Sequence, residues 1–142
     1  MADCVPVSIV DPARRVIALL HAGWRGVAAD ILEAGLRALL AATESEPGDL
    51  HLHLGPAICG GCYEVGPEVH HALGLPAPAG PAAVDLRQVL AARALDAGLD
   101  AERITVSEHC TRCGGSPFFS HRGGARERQM AVLGIREARS PA

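Results

Sequence analysis

Two short runs of β-type residues near the start of the chain constrain its fold more than any other feature. Val5-Pro6-Val7-Ser8-Ile9-Val10 and Arg15-Val16-Ile17-Ala18-Leu19-Leu20 flank Asp11-Pro12-Ala13-Arg14. Asp and Pro at the first two positions of that turn are the type I preference, so the segment reads as an antiparallel hairpin. Pro6 suits an early strand position or a sheet edge. The second run leads into His21-Ala22-Gly23-Trp24-Arg25-Gly26, a glycine-punctuated loop. From Val27 to Ala42 the apolar residues Ile31, Leu32, Leu36, Leu39 and Leu40 recur at helical spacing, which predicts one helix there.

Further along, Leu50–Leu54 alternates Leu with His and reads as a strand. Pro67 opens a short helix that runs to Leu73. Gly74–Ala83, with Pro76, Pro78 and Pro81, reads as an irregular linker. Asp85 caps a helix that ends at Ala97 before Gly98. Arg103–Ser107 and Met130–Ile135 complete the strands, with Cys110–Pro117 a loop between them. Strands and helices interleave, so the class is α/β or α+β. The 142 residues suit a single domain.

Composition removes several alternatives. A chain that is 49% apolar and 20% charged has the make-up of a folded domain. A net charge of -3 gives no electrostatic reason to expect nucleic acid as a partner. No apolar run approaches the roughly 20 residues that span a bilayer, and no leader pattern opens the chain, so a cytoplasmic protein with no membrane partner is expected. Its five cysteines then read as free thiols or metal ligands.

Centring the turn between Pro12 and Ala13 places Cys4 directly opposite His21. Opposed residues of an antiparallel pair have Cβ atoms about 4.5–5.5 Å apart. A thiolate and an imidazole at that separation can share a zinc ion, or the imidazole can activate the thiol as a nucleophile. An accidental meeting of a buried thiol and a loop histidine is the plain alternative, because a one-residue slip would part them. Arg25 adds a fork of donors for phosphate or carboxylate, and Gly26 precedes a helix start whose free N–H groups attract anions. Trp24 is either a stacking face or a core aromatic.

Ala2-Asp3-Cys4-Val5-Pro6-Val7 followed by His21-Ala22-Gly23-Trp24-Arg25-Gly26 resembles the central signature of the YfiH-like laccase-domain family. Leu54-Gly55-Pro56-Ala57-Ile58, Cys62-Tyr63-Glu64-Val65-Gly66, Asp85-Leu86, Cys110-Thr111 and Phe118-Phe119-Ser120-His121-Arg122 extend the similarity along the chain. The resemblance implies a mixed β-sandwich flanked by helices. It implies a zinc site with Cys4 and His21 as two of three ligands, and phosphorolysis of adenosine, inosine and methylthioadenosine. Adenosine deamination and a copper-dependent polyphenol oxidation are implied besides. On this reading zinc, with copper as a second metal, is the cofactor, and purine nucleosides and phosphate are the partners. Phosphate lies near Arg25 and Gly26, and Asp3 and Glu64 are candidate acid–base groups.

The chain also departs from the family pattern. It reads as a C-terminal portion, because the segment that usually carries the remaining His ligand, in a Gln-Val-His-Gly motif, is missing before Cys4. Gly123 stands where a second Arg is usual. An inactive or incomplete fragment is therefore one alternative, with His109 or His121 as substitute ligands.

A structural zinc module is the other. Cys59-Gly60-Gly61-Cys62 and Cys110-Thr111-Arg112-Cys113 are two C-x-x-C pairs. The stretch from Tyr63 to His109 far exceeds ribbon spacing, which ranks this reading below the Cys4–His21 pair. A blue-copper laccase is excluded, since it draws on more imidazoles than the seven His present. His51 and His53 read as a solvated strand face opposite Leu50, Leu52 and Leu54, and His70 and His71 as exposed.

Overall fold

The two-residue period of β1 (Val5–Asp11) makes it one-sided: Val5, Val7, Ile9 and Asp11 are buried while Pro6, Ser8 and Val10 are only half-buried. The structure, a computed structural model, describes residues 1–141. β1 pairs antiparallel with β2 (Val16–Ala22) and with β3 (His51–Leu54), and β3 pairs parallel with β6 (Ile104–Val106). The sheet order is β2-β1-β3-β6. A parallel neighbour requires a crossover. It is formed here by β4 (Glu64–Val65), α3 (Pro67–Ala72), β5 (Ala82–Ala83) and α4 (Leu86–Asp96), with β4 and β5 making a second small sheet. The mixed α/β class read from the sequence is the one found.

The expected Val27–Ala42 helix is two helices, α1 (Trp24–Ala28) and α2 (Ile31–Ala42), broken where Asp30 takes a left-handed conformation at φ 59°. Leu32, Leu36 and Leu39 of α2 and Leu86, Leu90 and Ala94 of α4 join Val7, Ile9, Leu52 and Leu54 of the sheet in one core. Asp85 caps α4 by accepting the Arg87 N–H, and Gly98 follows its end at φ 97°. His51 and His53 are exposed opposite the buried leucines, as their alternation predicts. His70 is buried against expectation, its ring nitrogens facing the carbonyls of Gly66 and Ala83.

Two further differences concern strands. Ala82–Ala83, inside the expected linker, pairs with Glu64–Val65. Met130–Ile135 forms no ladder. Its neighbours hold only its ends, through Gln129 N–H to Met1 O and Arg15 Nη2 to Arg136 O, and Met130 and Val132 remain exposed. The sheet keeps two edge strands, β2 and β6, but the segment pairs with neither, and β propensity makes no strand without a partner. No helix of the described residues is long and apolar enough to cross a membrane.

Asp11 fixes the hairpin turn. Its Oδ1 accepts from the backbone of Ala13 and Arg14, and its Oδ2 from Arg14 Nη1 and the Ser45 hydroxyl. The Ser45 bond is the main cause that holds the carboxyl down to about 2, with Arg14 adding to it against the effect of burial. A carboxylate lowered on folding contributes stability above its unfolded pKa, about 4, and loses it as pH falls through the folded value. Asp11→Asn is expected to flatten the fall of Tm between about pH 4 and pH 2, read from thermal melts of both proteins across that range.

Candidate active site

The hairpin places Cys4 and His21 differently from the expected register. Val5 pairs with Ala22 and Asp11 with Val16, so Pro6 is opposite His21. Asp11 belongs to the strand, and Arg15, at φ 55°, belongs to the turn, which moves every pairing by two residues. Cys4 therefore comes against Gly23, where a Cβ would lie 2.9 Å from Cys4 Sγ. A two-residue shift keeps each side chain on its own face, unlike a one-residue slip. Cys4 and His21 are thus still brought to one cavity, of about 390 Å³.

Four chain segments build that cavity. Asp3 and Cys4 lead into β1, His21 and Gly23–Gly26 link β2 to α1, Ile58 and Tyr63 follow β3, and Leu86 opens α4. The first helical residue is Trp24, not Val27, so Gly26 lies inside the first turn. Its N–H still precedes the first intrahelical bond, from Val27 N–H to Gly23 O. Arg25 is exposed, with its guanidinium 4.5 Å above the Trp24 ring. Trp24 packs against the core, as one of its two readings expects, and also lines the cavity.

Burial, and next the neighbouring Asp3 charge, push the Cys4 thiol up. A thiol so placed is a poor thiolate nucleophile, which disfavours direct activation by His21. Burial also raises the Tyr63 phenol, whose ring carries the Arg122 guanidinium at 5.0 Å. Asp3 is buried at φ 72°. Its Oδ1 accepts from Thr111 Oγ1 at 2.7 Å and its Oδ2 from the Arg122 N–H at 2.7 Å, while its carbonyl takes the Ile58 N–H at 3.1 Å. It ties three segments together behind Cys4.

Glu64 is exposed on β4 and, like His109 and His121, is not among the cavity residues. Sequence reasoning assigned no role to Tyr63, Ile58 or Leu86, although each stands in a motif quoted above.

A catalytic zinc takes three protein ligands and keeps an open position. Cys4 and His21 supply two donors, and both Asp3 oxygens face other partners. Among the described residues no third His, Cys, Asp or Glu completes a metal-holding group with them. The cavity alone does not fit the metal.

The group that does gather is Cys59, Cys62, Cys110 and Cys113, with all sulfurs within 4.8 Å of one another. The long stretch between the pairs is the β3–β6 crossover. Parallel pairing continues past β3 through Ser107 N–H to Leu54 O, Thr111 N–H to Ala57 O and the Ala57–Cys110 bridge, so the two loops emerge side by side. Ribbon spacing was the wrong measure for them. Burial opposes ionisation of Cys110, but backbone N–H groups of Cys59, Arg112 and Cys113 bring it down to about 6. Cys113, crowded by the sulfurs of Cys110, Cys62 and Cys59, is pushed up to about 12.

The family model described as "Multi-copper polyphenol oxidoreductase laccase" matches residues 1–136. Purine nucleoside phosphorylase YlmD of Bacillus subtilis is 35% identical over 149 residues, covering 96% of this chain and 54% of that protein. Adenosine deaminase RL5, from an unknown prokaryotic organism, is 37% identical over 134 residues, covering 85% of this chain and 50% of its own length. The crystal structure of YlmD from Geobacillus stearothermophilus superposes with a TM-score of 0.81 at 36% identity, over 87% of this chain and 50% of that one. The chain spans about half the length of the curated relatives it matches.

Proposed function

Because the chain belongs to the laccase-like family of YfiH and YlmD, we propose that its cavity binds a purine nucleoside beside phosphate for phosphorolysis of the glycosidic bond, with adenosine deamination as a second activity. One observation carries this reading: Cys4, His21, Arg25 and Tyr63, from three chain segments, line a single cavity. The names of the matched relatives supply the two reactions.

In this reading the base lies against Tyr63 and the Trp24 side of the cavity, where aromatic faces stack on a flat ring. Arg25 and the unpaired N–H groups of the first α1 turn, Gly26 among them, hold the phosphate. A phosphate oxygen then bonds to the anomeric carbon as the carbon–nitrogen bond breaks. The purine leaves with that electron pair and takes up a proton. In this reading the His21 imidazole, which lines the cavity, hands over that proton, and Asp3 positions the wall behind it. Cys4 and His21 are short of a zinc site by at least one donor. Of the seven His only His21 lines the cavity, too few imidazoles there to support a copper oxidation.

The test is the purified chain with inosine and phosphate, following hypoxanthine release, and with adenosine alone, following inosine. Arg25→Ala is expected to raise the phosphate KM by roughly 10- to 100-fold while the inosine KM stays within about twofold. An unchanged phosphate KM would remove Arg25 from the site. A second reading, an incomplete site that turns nothing over alone, is favoured by the two-donor Cys4–His21 pair. Absence of both products from a chain that melts cooperatively would establish it.

A further inference from the structure

The geometry points to a structural zinc ion held by Cys59, Cys62, Cys110 and Cys113, separate from the nucleoside cavity and bracing its wall. Zinc bound tetrahedrally by thiolates at about 2.3 Å sets its sulfurs ~3.8 Å apart. Cys59 Sγ and Cys62 Sγ lie 3.8 and 3.7 Å from Cys113 Sγ. Hydrophobic burial does not explain the gathering, because Cys113 is exposed and the other three are only half-buried. Two tight loops present the sulfurs. Cys62 N–H bonds to Cys59 O across one, and the N–H groups of Arg112 and Cys113 point at Cys110 Sγ across the other, at 3.4 Å each. Cys59 N–H reaches the same sulfur at 3.3 Å. Backbone donors aimed at a ligand sulfur are the outer shell that orients metal-bound thiolates.

Four soft thiolates in this arrangement suit zinc and leave no open position, so the ion is structural. Each ligand pair adjoins the cavity. Ile58 and Tyr63 line it and flank Cys59 and Cys62. Thr111, beside Cys110, holds Asp3, beside Cys4. Arg112 Nη1 also donates to Cys62 O, and Arg87 of α4 donates to Ser107 O and His109 O just before the second loop. The ion therefore clamps the ends of the paired strands β3 and β6 to the cavity wall, and its binding releases the thiol protons to solvent.

The experiment is metal analysis of the full chain purified under reductant with zinc in the growth medium, repeated for variants. About one zinc per chain is expected, retained in Cys4→Ala and His21→Ala and absent from Cys59→Ser/Cys113→Ser. Cobalt replacement should give the intense visible absorption of tetrahedral cobalt–sulfur coordination, unchanged in Cys4→Ala. Chelation is expected to lower Tm by on the order of 10 °C. Should the double variant fail to fold, Cys113→His should keep zinc while X-ray absorption shows one sulfur replaced by nitrogen. Sub-stoichiometric metal with all four thiols alkylatable, iron in place of zinc, or zinc lost only with Cys4 or His21 would each overturn the proposal. The site stands independently of the nucleoside reading, since metal content and turnover are measured separately.

Discussion

Asp3→Ala is expected to destabilise the protein by about 2–4 kcal/mol. The carboxylate accepts from the buried Thr111 hydroxyl and from the Arg122 N–H, and the substitution leaves Thr111 without that partner. A buried donor or acceptor left unpaired costs about 1–3 kcal/mol. The left-handed φ of 72° adds to the loss, because Asp tolerates that region better than Ala. Asp3→Asn keeps that tolerance and one acceptor oxygen, so it should lose less. Denaturant unfolding of the three proteins measures the order. A loss below about 1 kcal/mol for Asp3→Ala would show that Thr111 and Arg122 are held by other contacts. The Asp3 carbonyl that receives the Ile58 N–H is kept in the alanine variant, so faster amide exchange at Ile58 would report that losing the carboxylate contacts loosens the segment itself.

Gly23→Ala is expected to cost little stability yet reduce turnover at least about tenfold. Gly23 has an ordinary φ of -85°, so an alanine meets no backbone strain there. Its Cβ, however, would lie 2.9 Å from Cys4 Sγ, and one of the two must move. The sulfur is the freer partner, and its displacement misplaces a cavity group by several tenths of an ångström. Steady-state kinetics beside thermal melts separates the effects: a drop in kcat with Tm shifted by less than about 3 °C is the expected pattern. Gly26→Ala provides the contrast, since a Cβ there meets His21 O and Ile31 at an ordinary 3.5 Å. Unaltered turnover in Gly23→Ala would mean that the position of Cys4 does not matter to the reaction.

The local elements were legible because their signals are local. The Leu–His alternation gave β3, Asp85 and Gly98 gave both ends of α4, and Pro67 gave the start of α3. The hairpin was legible, but its register was not. Asp11 ends a strand because Ser45 and Arg14 satisfy its carboxylate, and a partner such as Ser45 is invisible from the turn sequence. The break between α1 and α2 depends on one left-handed residue, Asp30, within a pattern that otherwise reads as continuous helix. Met130–Ile135 shows the reverse: the residues favour a strand, yet the chain pairs them with neither edge of the sheet, β2 or β6.

For the site, the sequence by itself singled out the side chains whose chemistry suits a site: Cys4, His21, Arg25 and the paired cysteines. It did so because loops rich in glycine and cysteine have few packing explanations for those residues. Only the tertiary structure decided which of them meet. Parallel pairing of β3 with β6 across a long crossover set Cys59 and Cys62 against Cys110 and Cys113, a juxtaposition that spacing along the chain argued against. The same structure left Cys4 and His21 without a third donor among the described residues. Proximity across a sheet depends on strand order and register, and both are settled by burial summed over the whole core rather than by any short stretch of residues.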